Sequence, residues 1–171
     1  MQTHDKSYVL GPGGGKSVWL GGLGVDFKIW GDQTSGLLSI VEHPIDPGRL
    51  VYPHVHINED EYSYVLEGRV GARIGDQDII ATPGSYVFKP RNIPHTFWNA
   101  GSEPARIIEI ISPAGFEKFF VELAEIFAEA GTGQPDQEMI GELSARYNLA
   151  FVKDEWIPEL KAKYHLKLLG E

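Results

Sequence analysis

The sequence contains no cysteine, and basic residues are outnumbered, with 15 Lys and Arg against 24 Asp and Glu. The missing thiols exclude disulfides, zinc fingers, iron–sulfur clusters and cysteine nucleophiles, leaving histidines and carboxylates as the strong metal ligands. A formal net charge of −9 disfavours a surface for nucleic acid or anionic membrane, because both require clustered basic residues. No apolar run reaches the roughly 18 residues of a membrane span, and the amino end shows no apolar signal segment. We therefore expect a cytoplasmic protein with no nucleic-acid or membrane partner.

The length of 171 residues corresponds to one domain. A chain of this size buries roughly 70% of its unfolded surface, so its core is stable without metal or disulfides. Any bound metal would therefore have a functional purpose.

Secondary structure is expected to change along the chain. Up to about residue 111, glycine, proline, asparagine and aspartate separate short runs rich in β-branched and aromatic residues, which predicts many short antiparallel strands in a sandwich or barrel. From Phe116 to Ala130 apolar residues recur at three- and four-residue steps, which predicts a helix ending at Gly131. A second helix is predicted around Met139 to Tyr147, and a short one within Trp156–Leu169.

The division of the chain follows from this change. Residues 1–114 are expected to form the β part with its amino-terminal strands, and residues 115–171 a helical extension of the same domain. The extension has too few layers for a core of its own, so its helices should pack outside the β part.

Two segments carry the candidate chemistry. His54 and His56 are two residues apart, so on a strand both imidazoles project to the same face. Glu61 follows a short turn and can return as an oxygen donor, and His95 in the second segment offers a fourth ligand. Three imidazoles and one carboxylate suit a divalent first-row transition metal: Fe, Mn, Ni, Cu, Co or Zn.

The two segments together resemble the motifs of the cupin family. The first motif fits at Gly48, His54, His56, Glu61 and Gly68, and the second at Gly84, Pro90, His95 and Asn99. Asn92 stands where the family usually has glycine, and asparagine tolerates the left-handed backbone that such a turn requires.

The resemblance implies an all-β fold, a cupin jelly-roll β-barrel with the metal inside and the carboxy-terminal helices packed outside. The whole layout is similar to small single-domain cupins such as bacterial quercetin 2,3-dioxygenases, which implies a homodimer. Glu59 and Asp60 compete with Glu61 for the carboxylate position, but the six-residue spacing to Gly68 selects Glu61. His4, His43 and His165 lie outside both motifs and are interpreted as surface or packing residues.

Alternation along the strands predicts which side chains line the metal cavity. Counting by twos from Glu61 gives Ser63 and Val65, and counting from His95 gives Phe97 and Asn99. Tyr62, Tyr64 and Trp98 then face the opposite way. The phenylalanines after residue 115 are expected to pack the first helix against the β part, and the alternative is a lid over the cavity mouth.

The first functional hypothesis is a metal-dependent dioxygenase that uses O2 and acts on a small oxygenated compound, aromatic or enolic and flavonol-like. Glu61 is its candidate general base, a role that the resemblance supports. The alternatives are a metal-assisted isomerase, decarboxylase or lyase, and a small-molecule-binding cupin without catalysis. Fold likeness cannot choose among these three.

Overall fold

The structure is a computed structural model that describes residues 9–131, 133–152 and 156–171. His4, interpreted from the sequence as a surface or packing residue, lies outside these residues. The described strands and helices, in chain order, are β1 (Ser17–Trp19), β2 (Gly24–Ile29), β3 (Ser39–Ile45), β4 (Arg49–Leu50), β5 (His54–His56), β6 (Asp60–Glu67), β7 (Val70–Ile74), β8 (Gln77–Ala81), β9 (Tyr86–Lys89), β10 (His95–Asn99), β11 (Ala105–Ser112), α1 (Glu117–Ala130), α2 (Gln137–Arg146), β12 (Leu149–Phe151), α3 (Trp156–Tyr164) and β13 (Lys167–Leu168).

The strands form two sheets. One has the order β1-β2-β3-β11-β6-β9, and the other contains β12-β5-β10-β4-β13 with β7 and β8 attached through β10. All pairings are antiparallel except that of β13 with β4. The all-β prediction is confirmed, but the strand pairings among the described residues leave two separate sheets rather than a closed barrel.

Alternation along the strands sets the core. On β6 the side chains of Glu61, Ser63 and Val65 are buried, whereas Tyr62 is 41% exposed. β3 and β11 follow the same period of two, which turns one face of the six-stranded sheet inward. Apolar residues from both sheets, including Val41 of β3, share one hydrophobic core.

The carboxy-terminal segment contributes to a sheet as well as to helices. α1 and α2 match the predicted helices, and Gly131 ends α1 with a φ of +58°. The segment predicted as a helical extension also contains two short strands, because β12 and β13 join the seven-stranded sheet. Strands of two or three residues are too short to show a periodic pattern, so the sequence gives no signal for them.

Among the helices in the described ranges, none is both long enough and apolar enough to cross a bilayer.

Candidate metal centre

Three strands bring the predicted ligands together. β5 carries His54 and His56, β6 carries Glu61, and β10 carries His95 directly opposite His54 in the antiparallel register. All four residues are buried, and one potential ligand atom from each lies within 4.8 Å of the others. The structure therefore assembles the predicted constellation from residues that are far apart in the chain.

The outer ring nitrogens are held by the protein. His54 Nδ1 donates to the carbonyl of Tyr52 at 2.7 Å, and His95 Nδ1 donates to the carbonyl of Ile93 at 3.0 Å. Because a carbonyl only accepts, these bonds place the hydrogen on Nδ1 and leave the Nε2 lone pair for a cation. His56 Nδ1 faces the carboxylate of Glu59 at 3.4 Å.

The inner atoms fit a metal ion. His56 Nε2 and His95 Nε2 are buried with no hydrogen-bond partner, and each lies 3.3 Å from an oxygen of Glu61. Burying such polar atoms without partners costs free energy, and a cation among them would satisfy both nitrogens and the carboxylate. The donors, nitrogen and oxygen without sulfur, are those that divalent first-row metals accept.

The carboxylate position goes to Glu61 rather than to its neighbours. Asp60 instead forms an ion pair with Arg91 at 2.8 Å, and Glu59 lies on the outer side of His56. Asn92 has a φ of +63°, so the left-handed turn expected at this position is present.

Charge at the centre is unevenly distributed. Burial lowers the pKa of His56, but Glu61 and Glu59 outweigh this effect and raise it to about 9. Burial raises the pKa of Glu61, yet Lys89 and His56 lower it well below its ordinary value. Burial lowers the pKa values of His54 and His95. A metal ion binding here would replace the proton on His56.

A buried lysine and a second glutamate lie behind Glu61. Lys89 Nζ is 2.8 Å from Glu61 Oε2 and 2.6 Å from Glu109 Oε2, and Lys89 is fully buried. Ser63 donates to the same Glu109 oxygen at 2.9 Å. Burial raises the pKa of Glu109 to about 7, even though Lys89 acts in the opposite direction.

Sequence reasoning missed both Lys89 and Glu109. The signal was available, because counting by twos from the apolar Val87 also points Lys89 inward. Lysine is rarely buried unless it is paired, and here its partners come from β6 and β11.

The centre opens onto a cavity of about 630 Å³, called here the apolar cavity. Most of its wall is aromatic or aliphatic, whereas its polar groups include His43, His54, Glu61 and Glu109. The phenylalanines in the wall are Phe97, Phe116, Phe119, Phe120, Phe127 and Phe151. The size and lining are those of a small-molecule site.

The predicted lining residues have different positions. Phe97 lies in the wall of the apolar cavity. Ser63 bonds Glu109, Val65 is fully buried in the core, and Asn99 donates to the carbonyls of Ile45 and Glu103. These three side chains therefore bond or pack against other parts of the protein, and they are not among the residues that line the apolar cavity.

The two remaining histidines also differ. His43 is only 2% exposed and lies in the wall of the apolar cavity, whereas His165 is exposed.

The phenylalanines at the start of α1 lie over the centre. The ring centroid of Phe116 is 4.3 Å from that of His56, and that of Phe120 is 5.4 Å from that of His43. Both phenylalanines are buried in the shared core and also line the cavity. The phenylalanines therefore pack α1 against the β part and also form part of the cavity wall. Packing and covering of the cavity, given above as alternatives, occur together.

Comparison with known families agrees with the site. Residues 42–111 match the family model described as "Cupin domain", a range that contains all four candidate ligands. This chain therefore contains a cupin domain.

Relatives in sequence have several names. The chain is 34% identical over 80 residues to tetracenomycin polyketide synthase protein TcmJ of Streptomyces glaucescens, covering 47% of this chain and 52% of that protein. It is 27% identical over 93 residues to quercetin 2,3-dioxygenase of Bacillus subtilis, covering 54% of this chain and 27% of that enzyme. The chain thus spans about half the length of the first relative and less of the second.

Solved structures support the fold. An RmlC-like cupin from Shewanella frigidimarina matches with a TM-score of 0.54 and 22% identity, covering 66% of this chain and 96% of that one. KdgF from Halomonas sp. matches with a TM-score of 0.51 and 20% identity, covering 57% and 84%. At these identities the likeness concerns the fold alone.

Proposed function

We propose that this protein is a metal-dependent dioxygenase that acts on a small aromatic or enolic compound with adjacent oxygen atoms, such as a flavonol. The observation that carries the proposal is the convergence of four ligand atoms within 4.8 Å of one another beside an aromatic-lined cavity of about 630 Å³. The partial similarity to a quercetin 2,3-dioxygenase supports the choice of reaction.

The cavity would hold and orient the substrate. Phe97 and Phe116 offer flat apolar surfaces beside the ligands, so an aromatic ring would bind there with its oxygens toward Glu61. A divalent metal held by His54, His56, Glu61 and His95 would supply Lewis-acid stabilisation of negative charge on those oxygens. Because both atoms of O2 enter the product of a dioxygenase, the reaction needs no external reductant.

Glu61 is the proposed general base. It is the ligand carboxylate that also lines the cavity, so it can accept the proton of a substrate hydroxyl. Lys89, at 2.8 Å, holds one of its oxygens in place while the other faces His56.

A second candidate is a metal-assisted isomerase, decarboxylase or lyase. Glu109 favours it, because this buried carboxyl lines the cavity beyond the ligands and could exchange a proton with a substrate without oxygen. Its pKa of about 7 suits an acid–base group at neutral pH.

Turnover by metal-loaded protein tests these proposals. The purified protein is reloaded with each metal in turn, its content is measured by elemental analysis, and flavonols and other enols are screened with an oxygen electrode. Oxygen consumption equimolar with substrate supports the dioxygenase, and turnover under strict anaerobiosis supports the second candidate. Binding without turnover would contradict both. His95→Ala is the matched control for metal dependence.

A further inference from the structure

His43 is a buried histidine in the wall of the apolar cavity that the proposed chemistry does not use. It lies on β3 and pairs in register with Ile107 of β11, two residues before Glu109 on the same inward face. It is not one of the four residues that could hold a metal.

The backbone fixes the hydrogen on one ring nitrogen of His43. Nδ1 lies 2.9 Å from the carbonyl oxygen of Gly24, and because that oxygen only accepts, Nδ1 must donate. In the neutral ring, Nε2 then carries a lone pair. Within the described part of the chain, no residue hydrogen-bonds Nε2.

The surroundings keep this ring neutral. Burial lowers the pKa of His43 to about 4 and Lys89 also lowers it, whereas the Gly24 bond, Glu61 and Asp26 act in the opposite direction. At neutral pH the ring is therefore an acceptor at Nε2 and not an imidazolium donor.

Aromatic rings connect His43 with the metal centre. The centroid of Phe97 is 6.0 Å from that of His43, and the Phe97 ring also lies 4.8 Å from Lys89 Nζ beside Glu61. Phe120 meets His43 edge to face, and Phe116 of the same stripe meets His56. A flat ligand between these rings would have the metal ligands at one end and His43 at the other.

We propose that His43 is a specificity-determining residue whose Nε2 accepts a hydrogen bond from a hydroxyl or N–H group of an aromatic substrate, at the end remote from the four ligands. This inference rests on the proposed function, since it assigns the substrate a second polar group. The expected class is a planar aromatic compound with adjacent oxygens at one end and a hydrogen-bond donor at the other. A site built around such an acceptor disfavours analogues that lack the donor.

Two variants separate recognition from packing. In His43→Asn the amide can keep the bond to the Gly24 carbonyl but cannot reach the Nε2 position, whereas His43→Gln places an amide oxygen near that position. Binding of 3-hydroxyflavone, galangin, kaempferol and quercetin to Zn²⁺-reloaded protein is measured by calorimetry. Compared with 3-hydroxyflavone, galangin carries added hydroxyl groups on the fused benzo ring, kaempferol carries a further one on the phenyl ring, and quercetin carries a second one there, so the probes differ in where they offer a hydrogen-bond donor.

We expect His43→Asn to weaken binding of at least one of the more hydroxylated flavonols about tenfold and that of 3-hydroxyflavone by less than about twofold. His43→Gln should restore most of the loss. An equal loss for all four probes, or no loss for any, would overturn the inference while leaving the proposed function in place. If wild-type protein bound none of them, the proposed substrate class and the inference would both fail.

The ring itself provides a test that needs no ligand. Long-range ¹H–¹⁵N spectra of histidine-labelled wild-type protein at pH 7 should show His43 neutral with the hydrogen on Nδ1. An imidazolium, or a hydrogen on Nε2, would overturn the inference even if every variant failed to fold.

Discussion

At the scale of single residues, two of the four candidate metal ligands are histidines whose outer nitrogens are already held by the backbone. His54 and His95 each donate from Nδ1 to a nearby carbonyl, so their Nε2 atoms are aimed before a cation arrives. Because this orientation is fixed in advance, binding loses little side-chain entropy.

Removing one ligand should remove the metal without unfolding the chain. His54→Ala and His95→Ala are expected to lose most of the bound metal after dialysis, because the remaining donors no longer enclose the ion. Elemental analysis measures the loss, and circular dichroism should show a native spectrum. His165→Asn is the control, since this exposed histidine has a φ of +55° that asparagine tolerates. Full occupancy in both alanine variants would contradict the assignment.

Lys89 should contribute strongly to stability, because it is a buried cation between two buried carboxylates. Lys89→Met leaves the carboxylates of Glu61 and Glu109 buried without their shared cation, and we expect a loss of about 3–5 kcal/mol in unfolding free energy. Urea denaturation of metal-free protein measures it. Adding Glu109→Gln should recover part of the loss, and a double variant as unstable as the single one would argue against charge as the cause.

His43 should make the fold sensitive to acid. Its pKa is about 4 in the folded protein, against an ordinary value of 6.5, so between these values the unfolded chain binds more protons and stability falls as the pH falls. The full difference corresponds to about 3 kcal/mol. Urea denaturation at pH 7, 5.5 and 4.5 should show a smaller decrease for His43→Gln than for wild type. Parallel curves would show that His43 is not the cause.

The site residues that could be predicted are marked by spacing within the sequence, whereas the position of Lys89 depends on how the strands are arranged. His54, His56 and Glu61 follow from local spacing, and His95 from a second motif nearby. Lys89 was missed because its burial depends on Glu61 and Glu109, whose positions beside it are set by strand order. Alternation would have pointed it inward, but a lone charged residue is normally assigned to the surface.

At the scale of elements, the predicted series of short strands followed by helices agrees with the structure, and the first two helices could be placed because their periodic patterns are long. β12 and β13 could not be predicted, since their short segments are strands only through pairing with β5 and β4. The covering position of α1 also depends on tertiary contacts, although its apolar stripe was evident in the sequence.

The residue that precedes α2 should stabilise this helix, which contributes to the wall of the apolar cavity. Asp136 accepts hydrogen bonds from the backbone of Glu138 and Met139, and Ile140 of the same helix lines the cavity. Asp136→Ala should destabilise the helix by about 1 kcal/mol, which corresponds to about fivefold faster hydrogen exchange within Gln137–Arg146. Mass spectrometry should show no change in β10. Glu142→Ala is the control, because Glu142 is an exposed residue of the same helix. Equal exchange rates in the two variants would show that the hydrogen bonds of Asp136 do not stabilise the helix.

At the scale of the whole molecule, the two sheets share one apolar core, and none of the four candidate ligands belongs to it. Metal-free protein prepared with a chelator should therefore unfold cooperatively in urea. Restoring the metal at 100 times its dissociation constant should add about 2.7 kcal/mol to the unfolding free energy. A chelated protein without native circular dichroism would show instead that the metal is required for folding.

The pairing of β12 with β5 has a consequence for biosynthesis. Leu149 and Phe151 lie opposite His56 and His54, so the histidine strand gains its second neighbour only after Phe151 has been translated. We therefore expect β5, which carries two of the four candidate ligands, to remain an edge of its sheet until the carboxy-terminal segment docks against it.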